Sequence, residues 1–122
     1  MTIPVKERGW PAHFCMGDRC LFRRNTLVGE YPKCIIVSTV GNLYESGIHS
    51  DGPQTVGAGR YYETAMFKPD MAGEYIDIDP SEEIPFEGKK AIAAMHDSVD
   101  NEANDMHDAA VKIAVEMLEV QK

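Results

Sequence analysis

The segment Cys34–Val40 (CIIVSTV) constrains the fold more than any other stretch of the chain. It is β-branched and almost continuously apolar, which is the pattern of a central strand in a sheet. Strand-like segments surround it. Ala12–Met16 and Cys20–Val28 flank Gly17-Asp18-Arg19, a connection of hairpin length, and Tyr31-Pro32 breaks the chain before the central strand. Arg60–Phe67 and Glu74–Ile78 read as a second pair of strands. Between them, Gly41–Gly59 holds five glycines and a proline around His49, Ser50 and Asp51. That pattern predicts a long loop, and long loops in compact domains are often functional.

After Asp79-Pro80 the hydrophobic period changes from two to between three and four. Ile92, Met95 and Val99 predict a first helix over Gly88–Val99, and Asp100 is placed to cap a second running to about Val120. In that second helix Ala103, Met106, Ala110, Ile113, Met117 and Val120 form one apolar stripe. Val111, Ala114 or Val115, and Leu118 form another beside it. The combined face is broader than a one-sided surface helix needs, so it is expected to cover the sheet and a second subunit. Strands first and helices last predict an α+β fold, with an N-terminal antiparallel sheet of about five strands and two C-terminal helices packed on it. The 122 residues fit one domain, 1–122, with the sheet over about 10–79 and the helices over 88–121.

Charge narrows the function. The net charge is −8. Residues 1–68 carry eight Lys and Arg against six Asp and Glu, whereas residues 69–122 carry four against fourteen. All five arginines lie in the first half. An acidic chain is a poor partner for DNA or RNA polymers, whose binding rests on neutralised phosphates. A few arginines on one element can still grip a small phosphate ligand. No apolar run reaches the ~20 residues of a bilayer span, and Met1–Trp10 lacks the apolar stretch of a signal peptide. A soluble cytoplasmic protein is expected, with Cys15, Cys20 and Cys34 as reduced thiols serving as small buried hydrophobes.

Several constellations bear on chemistry. Arg23-Arg24-Asn25-Thr26 interrupts an apolar strand, and alternation puts Arg23 and Asn25 on one face and Arg24 on the other. Surface arginines pairing with the acidic helices are the plainer alternative. Val56-Gly57-Ala58-Gly59-Arg60 can cradle an anion on backbone N–H groups and add a guanidinium, but it opens a strand, so it is no dinucleotide fingerprint. His13, Cys15, Cys20 and Cys34 lack the paired spacing of a zinc site. Asp77, Asp79, Glu82 and Glu83 lack the glycine of a calcium loop and read as an exposed acidic linker. His96-Asp97 and His107-Asp108 resemble hydrolytic metal ligands, yet on one straight helix the histidines would stand roughly 16 Å apart. No metal, cofactor or catalytic nucleophile is therefore expected. Phe86 can plate a purine or plug the helix entrance, and Asn101 and Asn104 can read a base edge.

Taken in order, Arg8-Gly9-Trp10, His13-Phe14-Cys15, Cys20-Leu21-Phe22-Arg23-Arg24-Asn25-Thr26-Leu27, Ile36-Val37-Ser38-Thr39-Val40-Gly41, Arg60-Tyr61-Tyr62-Glu63-Thr64 and Ala103-Asn104-Asp105-Met106-His107 resemble a small phage protein of the first Thoeris anti-defence family. The similarity spans about Arg8 to His107. It implies a homodimer or larger homo-oligomer in the host bacterial cytoplasm, without enzymatic activity. Such a protein sequesters cyclic ADP-ribose isomers (glycocyclic ADP-ribose) made by TIR enzymes, and some members also hold cyclic di- or trinucleotides at a second site. The resemblance carries ligand contacts onto Arg24, Arg60, Phe86 and Asn104, with Asn101 competing with Asn104. Arg23, Asn25 and His107 complete the candidate set. The residue pattern also leaves open a metal-dependent phosphohydrolase acting on a nucleotide signal through His96, Asp97, His107 and Asp108. A further alternative is an inhibitor whose acidic helices bind a host defence protein.

Overall fold

The computed structural model describes residues 2–8, 20–43, 56, 59–88 and 91–120. Strands β1 (Val5–Glu7), β2 (Cys20–Glu30), β3 (Lys33–Leu43), β4 (Tyr62–Ala72) and β5 (Tyr75–Ile84) form an antiparallel sheet in chain order, with β3 in the middle. A two-residue strand, β6 (Ala91–Ile92), pairs with β4, and the chain ends in helix α1 (Val99–Val120). The fold is α+β. The expected strand Ala12–Met16, its hairpin turn and most of the glycine-rich loop lie outside the described residues.

Each hairpin has a local cause. β2 and β3 meet across Tyr31-Pro32, with Glu30 opposite Lys33. β4 and β5 meet across Gly73-Glu74, where Gly73 takes a φ of 64°. A two-residue hairpin with a glycine first matches the right-handed twist of the strands it joins. β5 then bulges: Phe67 faces Glu83 and Pro69 faces Ile78, so residues 79–82 of β5 stand opposite Lys68 alone. Asp79 closes the bulge by accepting hydrogen bonds from the Ser81 backbone N–H (3.0 Å) and hydroxyl (2.6 Å). Pro80, which cannot donate to a ladder, sits in this excursion. The acidic run expected as a linker is therefore part of an exposed edge strand.

The first of the two expected helices, over Gly88–Val99, does not form: residues 91–98 are a short strand, an irregular stretch and a turn. Ile92 pairs with Tyr62, its carbonyl accepts from the Tyr61 N–H (2.8 Å), and residues 97–98 turn into α1. The spacing of Ile92, Met95 and Val99 is real, since all three pack in one cluster with Phe22, Tyr62 and Met106. An extended chain followed by a turn brings them there as well as a helix would. Only one helix is present among the described residues. It begins one residue before Asp100: the Ser98 carbonyl accepts from the Asn101 and Glu102 N–H groups. Asp100 instead accepts a 2.5 Å hydrogen bond from the Tyr62 hydroxyl in the first turn.

Helix α1 lies across one face of the sheet. Ala110, Ala114 and Leu118 pack on Val28, Ile35, Val37 and Met66, while Ala103 and Met106 join the Phe22–Tyr62 cluster. The small residues let helix and sheet approach closely. The stripe that buries is Val99, Ala103, Met106, His107, Ala110, Ala114 and Leu118, so the outer stripe drifts off the core and leaves Val120 85% exposed. On the opposite face, Cys34, Ile36, Ala65, Phe67 and Ile78 form a separate cluster. Cys20 and Cys34 are buried, as expected of small hydrophobes; Cys15 lies outside the described residues.

Gly41 carries the tightest packing demand. It sits opposite both Phe22 and Tyr62, whose rings meet edge to face at 5.6 Å, and a methyl on Gly41 would run into the fully buried Tyr62 ring. Gly41→Ala should therefore destabilise the protein by about 1–3 kcal/mol, the usual cost of overpacking a dense core. A urea titration with unchanged m-value and a lowered midpoint would show it; an unshifted midpoint would mean that the ring yields freely.

Candidate functional site

The helix-facing side of the sheet is not purely apolar. Register places Glu7 opposite Thr26, Arg24 opposite Thr39, and Thr39 opposite Thr64. Alternation turns all five side chains toward α1. His107 descends from the helix into this patch and is wholly buried, as are Thr26, Thr39 and Thr64. Its Nε2 lies 2.7 Å from Thr26 Oγ1 and its Nδ1 lies 2.6 Å from Thr39 Oγ1. Thr39 in turn meets Thr64 at 2.6 Å, and Thr26 donates to Glu7 Oε2 at 2.5 Å. A row of hydroxyls thus satisfies an imidazole that water does not reach.

The row ends at an arginine on the rim. Arg24 donates from Nε and Nη2 to the two carboxylate oxygens of Glu7, at 3.1 and 3.2 Å. Its Nη1 donates to Asp108 Oδ1 at 2.8 Å and, at the longer distance of 3.4 Å, to Asn104 Oδ1. The fork of Nε and Nη2 suits a carboxylate held side-on. Partial burial pushes the Glu7 carboxyl up, but hydrogen bonds from Arg24 and Thr26 outweigh it and leave the group below the usual carboxylate range. Burial likewise weakens the Arg24 charge, and its bonds to Glu7 and Asp108 more than restore it. Arg24 keeps 24% of its side chain exposed and Asp108 65%, so this end of the network faces solvent.

Of the expected ligand contacts, the structure brings Arg24 and Asn104 together. Asn101 lies one turn earlier on the same flank of α1 and is exposed. His107 adjoins them from beneath, but with both ring nitrogens engaged and no exposure it is not offered to a ligand. Phe86 sits elsewhere. It packs at the other flank of the buried stripe, lining a groove of about 280 Å³ with Glu102, Asp105, Ala109 and Ile113. At about 3.6 residues per turn, Asn104 and Asp108 face nearly opposite Ala109 and Ile113. Arg60 stands at the start of β4, near β6, with Nη2 2.9 Å from Glu63 Oε2. Arg23 is exposed on the far face, as alternation predicts. Asn25 is buried there, its Oδ1 accepting from Arg8 Nε (3.2 Å) and Nη2 (2.9 Å) while Arg8 Nη1 reaches the Ile76 carbonyl (2.6 Å). That arrangement ties β2 to β5 behind the sheet.

Sequence reading missed Glu7, Thr26, Thr39 and Thr64. Three threonines within apolar strands and one histidine within a helical apolar stripe were the available signal. His96 is on the surface, 2.7 Å from Glu102 Oε2, far from the buried role of His107. No group of three His, Cys, Asp or Glu suited to a metal occurs among the described residues. Nor is any helix long and apolar enough to cross a membrane among them. No protein-family model, curated protein or solved structure matches this chain.

Burial holds His107 down to about 4, with the nearby Arg24 charge acting in the same direction and Glu7 and Asp108 opposing it. The unfolded imidazole takes a proton near its ordinary 6.5, so between 6.5 and 4 the unfolded chain binds more protons than the folded one. Stability should therefore fall as pH drops through that window, by on the order of 3 kcal/mol in all. Below it the histidine adds nothing further, and the lowered carboxyl of Glu7 continues the loss. Thermal melts at stepped pH should show this slope in the native protein and a much shallower one in His107→Gln. Equal slopes in the two would remove His107 from the account.

Proposed function

We propose that this protein binds and holds a cyclic ADP-ribose isomer, of the glycocyclic kind made by TIR enzymes, without degrading it. It would thereby act as a phage anti-defence sponge. The observation carrying this reading is the meeting of Arg24 and Asn104, 80 residues apart in the chain, on a solvent-facing flank of α1. These are two of the residues that the resemblance to the Thoeris anti-defence family marks as ligand contacts. A pyrophosphate bridging two ribose units offers the paired oxygens that a guanidinium fork takes best, and ribose hydroxyls can bond to Asn104 and Asp108. Asp108, the more exposed of the two carboxylates on Arg24, is the partner a phosphate would displace.

Phe86 and Arg24 lie on opposite flanks of the same helix. A ligand gripped by both takes them from different copies, so the proposal includes a homo-oligomer with the site at a subunit boundary. The face with Ile113, Met117 and Val120 lies along the Phe86 flank, and it is apolar enough to help form such a boundary. Sequestration asks for tight binding and slow release, and for no chemistry on the ligand.

The test mixes purified protein with glycocyclic ADP-ribose, removes it by filtration, heats it and identifies the released molecule by mass spectrometry. Depletion with intact recovery is expected. A product of altered mass would mean an enzyme instead. Arg24→Ala should weaken binding by about 1.5–3 kcal/mol, on the order of 10- to 100-fold, while the protein remains folded. Arg60→Ala should weaken it too, and normal binding by both variants would refute the phosphate grip.

A further inference from the structure

The hydrogen-bonded row beneath Arg24 has one consistent proton order. Glu7 receives two N–H groups from Arg24, one on each oxygen, which suits a carboxylate and leaves no room for a carboxyl proton on Oε2. Thr26 has a single hydroxyl proton, and the Glu7 Oε2 contact at 2.5 Å consumes it. Thr26 Oγ1 must then accept from His107, so the imidazole carries its proton on Nε2. Nδ1 is left as an acceptor and takes the proton of Thr39, whose oxygen accepts from Thr64. Reading from the core outward, every hydroxyl donates once and the row ends on a carboxylate clasped by Arg24.

From this geometry we propose that Thr26 and His107 are positioning residues for Arg24, acting through Glu7, with His107 fixed as the neutral tautomer protonated on Nε2. The clasp depends on them because β1 is a three-residue strand with every residue exposed, so little other packing fixes where the Glu7 side chain stands. The Thr26 hydroxyl aims the carboxylate, His107 occupies the lone pair that would otherwise let Thr26 turn away, and the carboxylate aims the guanidinium. A charge-assisted bond of this kind holds direction as well as energy. The groups facing His107 are Thr26 and Glu7 on the β1–β2 side, Arg24 on β2, Thr39 and Thr64 on β3 and β4, and Asp108 on its own helix. The effect on ligand affinity rests on the proposed role of Arg24, whereas the proton order does not.

The experiment therefore has a ligand-free half. Nitrogen chemical shifts of His107 at neutral pH should show a protonated Nε2 and an unprotonated Nδ1; the reverse assignment overturns the proposal. Exchange of the Arg24 Nε–H with water should be slow in the native protein and in Thr26→Ser, and faster by roughly tenfold in Thr26→Val, which keeps the shape but loses the hydroxyl. Unchanged exchange in a folded Thr26→Val also overturns it. The second half measures binding of glycocyclic ADP-ribose, where Thr26→Val should weaken affinity by roughly tenfold and Thr26→Ser should restore it. Native-like affinity in folded Thr26→Val refutes the positioning role. If the native protein binds no glycocyclic ADP-ribose, the sponge reading fails by itself, and the shifts and exchange rates still decide the proposal.

Discussion

His107 leaves the helix with two ring nitrogens that solvent does not reach, and each has to find a partner on the sheet. Only a particular placement of α1 puts Thr26 beneath one nitrogen and Thr39 beneath the other. Apolar contacts such as Ala110 and Ala114 on Val37 and Met66 tolerate small slides of a helix, because dispersion is weakly directional. Hydrogen bonds to a buried imidazole do not. The polar pair therefore sets the register of helix on sheet, and the surrounding small side chains supply most of the burial. Tyr62 adds a second fixed point at the helix N-terminus through Asp100.

This placement explains why the candidate binding residues are where they are. Asn104 and Asp108 stand on the β2 side because His107, between them in sequence, points down. Phe86 stands on the other side because the chain returns from β5 to β6 along the same edge of β4, pairing first with Met66–Ala72 and later with Tyr62–Glu63. The excursion between those pairings carries Phe86 past the helix. Two flanks of one helix thus present a guanidinium and an aromatic ring in different directions, and the sheet rather than the helix alone decides which is which.

Strands β2 to β5 were legible because their signals are local, whereas β1 and β6, three and two residues long, carry too little pattern to be read. The apolar run at Cys34–Val40 reads as a middle strand, and β3 has two neighbours on either side. Arg23 and Arg24 fall on opposite faces as a period of two requires. Helix α1 was legible from its stripes, except that one of them ends half-buried at Ile113 and Met117 and exposed at Val120. The failures share one cause, which is that spacing does not specify backbone shape. Ile92, Met95 and Val99 cluster without a helix, and the Asp77–Glu83 run pairs as a strand despite Pro80 because a bulge absorbs it. The buried row was hidden differently. Thr26, Thr39 and Thr64 are ordinary strand residues, and only register makes them neighbours of one another and of a histidine 43 or more residues further on. Arg24 and Asn104 carried a functional expectation from resemblance; that they touch is a tertiary fact no spacing contains.

The bulge in β5 has one more effect. A flat edge strand offers its free N–H and C=O groups to any other strand, including that of an identical chain. Here the edge is broken by four residues turned out of the ladder, one of them a proline with no N–H to give, amid the carboxylates of Asp77, Asp79, Glu82 and Glu83. Such an edge cannot template a continuous ladder and repels a copy of itself. Copies crowded together along β5 therefore do not join into one continuous sheet.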